Sequence, residues 1–323
     1  MDITPEKLRW IYETMYTIRR FEETMLEQTV KGKSMGVAHT SDGEEACPTG
    51  ICAHLTDEDW IASTHRGHGH CIAKGLEPKR MMAEIFGRVT GQCKGKGGSM
   101  HIFDSSKNFA GGYAIVGGQL PIAVGLSLAA SFKNENRVVL CFLGDGALNE
   151  GEFHEAMNLA ALWRLPIIFF CENNLFGMGS PVHETVAAPE IYRIADAYNM
   201  PSQRIDGMSI LEVNEVFEDV AKRVRNGEGP FFLEAMTYRF RGHSMADPVL
   251  YREKTEEEQW KDKDPIPHYK RWLISNGLAS EEELDVVNQT IEQVVEDAVQ
   301  FAENSPIPDL SALHKDIYAE PGA

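Results

Sequence analysis

Two short, continuous apolar runs with a helical stretch between them constrain this chain more than any other feature. Residues 138–143 read Val-Val-Leu-Cys-Phe-Leu, and residues 166–171 read Pro-Ile-Ile-Phe-Phe-Cys. Neither run alternates apolar with polar, so each fits a strand buried on both faces. Residues 150–163 carry helical periodicity and good helix formers. Strand, helix and strand within about 35 residues form a βαβ unit, which requires a parallel sheet. A further strand is predicted at residues 231–236, Phe-Phe-Leu-Glu-Ala-Met. The fold class is therefore α/β, a parallel sheet flanked by helices.

The ends of the chain predict helical additions to that sheet. Thr4-Pro5-Glu6 reads as a helix start, with Thr4 as N-cap and Pro5 in the first turn. Leu8, Ile11, Met15, Ile18 and Met25 recur at helical spacing, so one face of this helix packs on something larger. Residues 280–304 predict a C-terminal helix. Between residues 87 and 125 glycine is frequent, as in Gly95-Lys96-Gly97-Gly98 and Gly111-Gly112. Such a run predicts loops whose backbone approaches a ligand or another helix, or else flexible surface loop. Residues 239–264 are charged, contain Gly242 and Pro248, and predict a mobile loop. With no repeat, low-complexity tract or obvious linker, one domain over residues 1–323 is expected.

Net charge is −18, which argues against nonspecific binding to nucleic acid or an anionic membrane. No run approaches the roughly 20 apolar residues of a membrane span. The first residues, Met1-Asp2-Ile3-Thr4, show neither a basic-then-apolar signal nor an Arg-rich transit pattern, so a cytoplasmic protein is expected. The six cysteines are scattered without a C-x-x-C pair and read as reduced core residues.

Chemistry is concentrated at the carboxyl ends of the two buried strands. Gly144-Asp145-Gly146 follows the first and Asn173-Asn174 the second. Ligands of open parallel sheets bind beyond the carboxyl ends of strands, and a βαβ unit brings Asp145 and Asn174 to one rim. A carboxylate and an amide oxygen are hard ligands suited to magnesium or calcium. On spacing alone, the same residues also read as a turn aspartate and a turn pair of asparagines.

The wider motifs add a resemblance. Asp42-Gly43-Glu44-Glu45-Ala46, Gly95-Lys96-Gly97-Gly98-Ser99-Met100-His101, Gly144-Asp145-Gly146, Cys171-Glu172-Asn173-Asn174 and Arg241-Gly242-His243-Ser244-Met245 occur in the order found in thiamine diphosphate enzymes. Together they resemble the alpha subunit of the first component of pyruvate dehydrogenase over nearly the whole chain. The resemblance implies a thiamine diphosphate-binding fold, with thiamine diphosphate and magnesium as cofactors. It implies that Asp145, the Asn174 side chain and the Phe176 main-chain carbonyl bind the metal; the family usually has Tyr at position 176. It implies that Gly146 and Ala147 present main chain to the diphosphate, and that Ala114 and Val116 meet the aminopyrimidine. Close relatives usually carry Gly at position 114.

The run His65-Arg66-Gly67-His68-Gly69-His70 has spacing unlike a helical zinc pair. By resemblance, Arg66 pairs with a cofactor phosphate, where its planar fork matches phosphate oxygens. His65, often Tyr in relatives, is expected to hydrogen-bond the diphosphate, while His68 and His70 are read as structural. The resemblance also implies catalytic roles for His39, at the substrate end, and for His243, at the diphosphate. The 239–264 loop is expected to order around bound cofactor. Ser244 matches a position phosphorylated in mitochondrial relatives. A second hydroxyl position of those relatives is Leu250 here, so Ser244 is read as a plain loop serine.

No segment resembles the region that supplies the family's activating glutamate, which lies on a separate beta chain. The resemblance thus implies a heterotetramer of two alpha and two beta chains, serving a lipoyl-bearing dihydrolipoyl acyltransferase. It implies decarboxylation of a small 2-oxo acid, pyruvate first, with reductive acyl transfer to the lipoyl group. Residues 63–75 also resemble the acetoin dehydrogenase alpha subunit, so acetoin cleavage is the rival. Branched-chain 2-oxo acids come third, because their enzymes usually have Arg at the position of Glu172. A non-enzymatic phosphate-binding module is the reading from another class. A nicotinamide enzyme is weaker still, because no G-x-G-x-x-G closes a strand-to-helix turn.

Overall fold

A computed structural model describes residues 4–188 and 190–318; Met1, Asp2 and Ile3, used in the reading of the N-terminus, lie outside the described residues. The strands in chain order are β1 (Trp60–Thr64), β2 (Phe109–Tyr113), β3 (Val139–Gly144), β4 (Ile167–Asn173), β5 (Phe176–Gly177), β6 (Ser180–Pro181), β7 (Ser202–Asp206) and β8 (Phe231–Met236). Six of them form one sheet in the order β2-β1-β3-β4-β8-β7, with every neighbouring pair parallel. β5 and β6 make a separate two-residue antiparallel hairpin.

The two apolar runs are the central strands, and the reason they lack alternation is visible in their packing. Leu140, Phe142, Ile168 and Phe170 point into the core on one face. Val139, Cys141, Leu143, Ile167, Phe169 and Cys171 point into the core on the other. Each fully buried Leu, Ile or Phe side chain contributes about 1.5–3 kcal/mol, so both faces reward apolar residues. Pairing sets Leu143 opposite Cys171 and Gly144 opposite Glu172. The Gly-Asp-Gly and Asn-Asn turns consequently leave the sheet side by side.

The terminal helices join beside the sheet. Thr4 caps the helix Pro5–Val30, its hydroxyl accepting from the Lys7 amide. The Ser280 capping box starts the helix Glu281–Asn304, with two amides satisfied reciprocally. Leu8, Ile11 and Met15 pack with Tyr269, Leu284, Val287 and Ile291. Among the described residues, no helix is long and apolar enough to cross a membrane.

The glycine-rich run is more ordered than its composition suggests. Gly111-Gly112 lies within edge strand β2, and the helix Gln119–Phe132 takes its last part. A Cβ at Gly111 would sit 2.2 Å from the Phe103 ring, and one at Gly112 would sit 2.6 Å from the Met100 carbonyl oxygen. Close packing, not flexibility, selects glycine there.

The charged run 239–264 also departs from plain loop. It contains the helix Lys254–Lys261, and its first half is tied by two side chains. Asp247 accepts from the His243 amide at 2.7 Å, the Val249 amide at 2.9 Å and the Tyr251 hydroxyl at 2.6 Å. Arg252 donates to the carbonyls of Arg239 and Arg241 at 2.8 and 2.9 Å.

Candidate active site

A cavity of about 580 Å³ opens beyond the carboxyl ends of the strands. All the residues singled out in sequence line it: His39, His65, Arg66, Ala114, Val116, Asp145, Gly146, Ala147, Asn174, Phe176 and His243. The topology explains the convergence. His65 and Arg66 follow β1, Ala114 and Val116 follow β2, and Asp145 to Ala147 follow β3. Asn174 and Phe176 follow β4, and His243 comes after β8. His39 reaches the same rim from the segment before the helix Ala46–Cys52.

One half of the cavity gathers hard oxygen atoms. Asp145 is buried, and burial pushes its carboxyl up to about 6, against the lowering effect of Arg239. One of its oxygens accepts from the Asn174 amide at 3.3 Å. The paired asparagines then divide their tasks. Asn173 donates its side-chain amide to Glu234 at 2.7 Å and accepts from the Leu175 amide at 3.1 Å, so its hydrogen bonds close within the fold. Asn174 donates Nδ2 to Glu44 Oε1 at 3.0 Å, and its Oδ1 is buried without a partner. A carboxylate and an orphaned amide oxygen on one rim are the hard donors that magnesium takes.

Phe176 stands beside them with its ring already engaged, 4.9 Å from the Arg252 guanidinium and 5.4 Å from the Tyr251 ring. Gly146 and Gly177 pass so closely that a Cβ on Gly146 would lie 3.3 Å from the Gly177 Cα. Here glycine keeps two backbones in contact at the cavity wall.

The other half gathers histidine rings and guanidinium groups. The rings of His39, His65 and His243 lie 4.7, 4.9 and 5.5 Å apart, centre to centre. Burial first, and the Arg66 charge second, push His39 down to about 3, His65 to about 2 and His243 to about 4. All three are neutral at pH 7 and each can donate one N–H. His39 Nδ1 and His65 Nε2 are buried without partners.

Arg66 donates to the Thr40 carbonyl at 2.5 Å and the His243 carbonyl at 2.9 Å. Arg239 donates to His243 Nδ1 at 3.2 Å and to the Met178 carbonyl at 3.1 Å. Because Nδ1 of His243 accepts, its Nε2 carries the proton. The ligand atoms of the three histidines lie within 4.8 Å of one another, close enough to suggest a transition metal. Two guanidinium charges beside them oppose a dication and favour phosphate oxygens.

The family model described as "Dehydrogenase E1 component" matches residues 13–311. The chain belongs to the dehydrogenase E1 component family. Its relatives include the alpha subunit of acetoin:2,6-dichlorophenolindophenol oxidoreductase from Bacillus subtilis, 46% identical over 98% of this chain and 95% of the relative. The pyruvate dehydrogenase E1 component subunit alpha of Porphyra purpurea is 40% identical, covering 99% of this chain and 95% of the relative. The corresponding subunit of Rickettsia bellii is 39% identical over 95% and 94% of the two chains. Dehydrogenase E1 components are oxidoreductases that depend on thiamine diphosphate, a cofactor whose negative charge lies in its diphosphate.

Within this E1 chain the remaining histidines of the 65–70 run face inward. His68 bridges Glu22 at 2.8 Å and the Ser99 carbonyl at 3.2 Å. His70 bridges Ser63 at 2.7 Å and Glu172 at 3.1 Å while stacking 3.7 Å from Phe142. Sequence reading assigned no role to Arg239, Glu44 or Glu172, although all three lie at the site. Arg239 carried one usable signal, a basic residue three positions beyond a buried strand. Glu44 and Glu172 stood in quoted motifs, but their partners are distant in sequence.

The depressed histidines give this E1 chain a pH dependence of known sign. A polyanion in the cavity offsets both burial and the Arg66 charge, so it raises the histidine values and binding takes up protons. Affinity for inorganic pyrophosphate, after allowance for its own titration, therefore climbs as pH falls toward the histidine values of the free protein. His65→Asn keeps an N–H donor but removes one titratable ring, and so flattens the slope of log affinity against pH. An identical slope in the variant, measured by titration calorimetry without added metal, would remove His65 from the anion cradle.

Proposed function

We propose that this chain is the alpha subunit of a two-chain 2-oxo acid dehydrogenase first component, acting on pyruvate with thiamine diphosphate and magnesium. The observation that carries this reading is the single cavity in which a hard-oxygen pair abuts two arginines and three neutral histidines. When bound, the cofactor supplies a thiazolium carbanion and an electron sink for decarboxylation and transfer of the acyl group. Asp145, Asn174 Oδ1 and the Phe176 carbonyl hold magnesium. Arg66, His65 and His243 donate to the diphosphate, and Gly146 and Ala147 present main chain to it. Ala114 and Val116 face the aminopyrimidine. His39 orients substrate or moves a proton at the far end.

Surface composition supports a partner chain. Ile115 and Val116, next to the cavity, are 74% and 42% exposed. The outward side of the helix Gln119–Phe132 shows Ile122, Leu128 and Phe132 to solvent. Exposed apolar side chains gathered beside the cavity and along one helix fit an interface, here that of a beta subunit in a heterotetramer of two alpha and two beta chains. A lipoyl-bearing dihydrolipoyl acyltransferase then takes the acyl group. The six cysteines are unpaired, which suits the reducing cytoplasm.

Acetoin cleavage is the second reading, favoured by the Bacillus subtilis relative at 46% identity. Glu172, placed in the cavity wall, weighs against branched-chain acids. The test is reduction of an artificial electron acceptor by the alpha–beta complex with pyruvate, acetoin or 2-oxoisovalerate. Pyruvate is expected to give the largest cofactor-dependent rate. A larger rate with acetoin would transfer the assignment to that substrate, and ATP binding without any response to thiamine diphosphate would favour a phosphate-binding module.

A further inference from the structure

We propose that Glu44 is a positioning residue that holds the Asn174 amide and the Arg66 guanidinium in one frame, tying the metal half of the cavity to its diphosphate half. The inference rests on the reading of the cavity as a thiamine diphosphate and magnesium site. Glu44 lies just before the helix Ala46–Cys52 and is 1% exposed. Its Oε1 accepts from Asn174 Nδ2 at 3.0 Å, and its Oε2 lies 3.8 Å from Arg66 Nε.

An asparagine amide has a broad, roughly two-fold terminal torsion. Its rotamer alone does not decide whether oxygen or nitrogen faces a cation. A carboxylate oxygen beside it does decide, because only Nδ2 can donate to that oxygen. The Asn174 oxygen is thereby turned away from Glu44 and left buried without a partner.

Asn173 shows the contrast. Glu234 holds its Nδ2 in the same way, but its oxygen is consumed by the Leu175 amide. Glu172 is not a substitute for Glu44, since its Oε1 is engaged by His70. On the other side, the Arg66 terminal nitrogens are committed to the carbonyls of Thr40 and His243. This leaves the Nε edge of the guanidinium as the one that meets Glu44.

The experiment uses the purified alpha–beta complex with Mn²⁺ as the metal probe, read by electron paramagnetic resonance with and without thiamine diphosphate. Cofactor binding is read separately by fluorescence quenching. Glu44→Ala is expected to weaken Mn²⁺ binding by about tenfold or more, as for other residues that orient a metal ligand. It should also shrink the factor by which Mn²⁺ tightens cofactor binding. Glu44→Gln keeps an oxygen for Asn174 Nδ2 but adds an N–H that can turn the Asn174 oxygen inward and drops the charge facing Arg66, so its loss should fall between the parent and Glu44→Ala.

Wild-type Mn²⁺ affinity in Glu44→Ala, or equal losses in Glu44→Gln and Glu44→Ala, would overturn the positioning role. Should Glu44→Ala fail to assemble, Glu44→Asp decides. The shorter carboxylate cannot span both partners, and unchanged Mn²⁺ affinity in it overturns the proposal. A parent complex that binds neither cofactor nor metal would instead overturn the site reading, and this inference with it.

Discussion

Asp145→Asn is expected to abolish metal-supported cofactor binding while leaving the chain folded. Asp145 lines the same cavity as Asn174, whose side-chain oxygen is buried without a partner, and its Oδ1 accepts the Asn174 main-chain amide. Asn has nearly the same shape, so packing is preserved, but the charge that a dication requires is gone. Removing one partner of a buried charge pair costs about 3–5 kcal/mol, or at least roughly a hundredfold in affinity.

The free protein should respond in the opposite direction. Burial raises the Asp145 carboxyl from 3.8 to about 6. For a raised acid, the contribution to stability is full below the unfolded value and is lost as pH rises through the folded one. At pH 7 the ionised group therefore opposes folding, and the neutral Asn relieves that opposition. The expected pair of results is lost turnover with an unchanged or higher melting temperature in the absence of cofactor. Cofactor binding that keeps the parent's metal dependence would remove Asp145 from the metal site.

What was legible in the sequence follows from how each signal arises. β3 and β4 could be read because burial on both faces writes an unbroken apolar run, and the turns that carry Asp145 and Asn174 follow those runs directly. β2 could not be read, since close approach by Phe103 and Met100 demands Gly111 and Gly112, and glycine in sequence signals loop. β7, at the sheet's other edge, buries Ile205 alone among its five residues, so its polar composition hid it.

The site divides in the same way. Asp145 and Asn174 came from residue types at strand ends, and Arg66 from family resemblance backed by the match of its planar fork to phosphate oxygens. His39, Ala114 and Val116 came from family resemblance alone, because a lone His, Ala or Val carries no chemical signature. Glu44 stayed silent because its role is created by Asn174, 130 positions away. Arg239 likewise acquires its role only when the loop returns His243 to within 3.2 Å of it.

The glycine-rich motif at residues 95–98 makes the last strong prediction, and it concerns stability. Of the outcomes expected for this stretch, a loop whose backbone approaches another helix is the one found: it wraps a glutamate side chain. Glu84, at the end of the helix Pro78–Ile85, is fully buried. Its carboxylate accepts from the amides of Cys93 at 2.7 Å, Gly95 at 2.8 Å, Gly97 at 2.7 Å and Gly98 at 3.2 Å. A Cβ on Gly91 would lie 2.4 Å from Glu84 Oε2, and one on Gly97 would lie 2.0 Å from the His101 carbonyl oxygen. Glycine is thus selected by the tightness of the wrap.

Glu84→Ala leaves these four half-buried amides without their acceptor, at about 1–3 kcal/mol for each that water cannot reach. With water reaching some of them, a loss of about 3 kcal/mol follows, large for a single substitution. That corresponds to a fall of about 6 °C in melting temperature. Glu84→Gln keeps one acceptor oxygen and should fall between the two. The same loop leads to Met100 in the cavity wall, so cofactor affinity should drop in step with stability. A Glu84→Ala protein that melts within about 2 °C of the parent would mean that the wrapped carboxylate does not hold this loop.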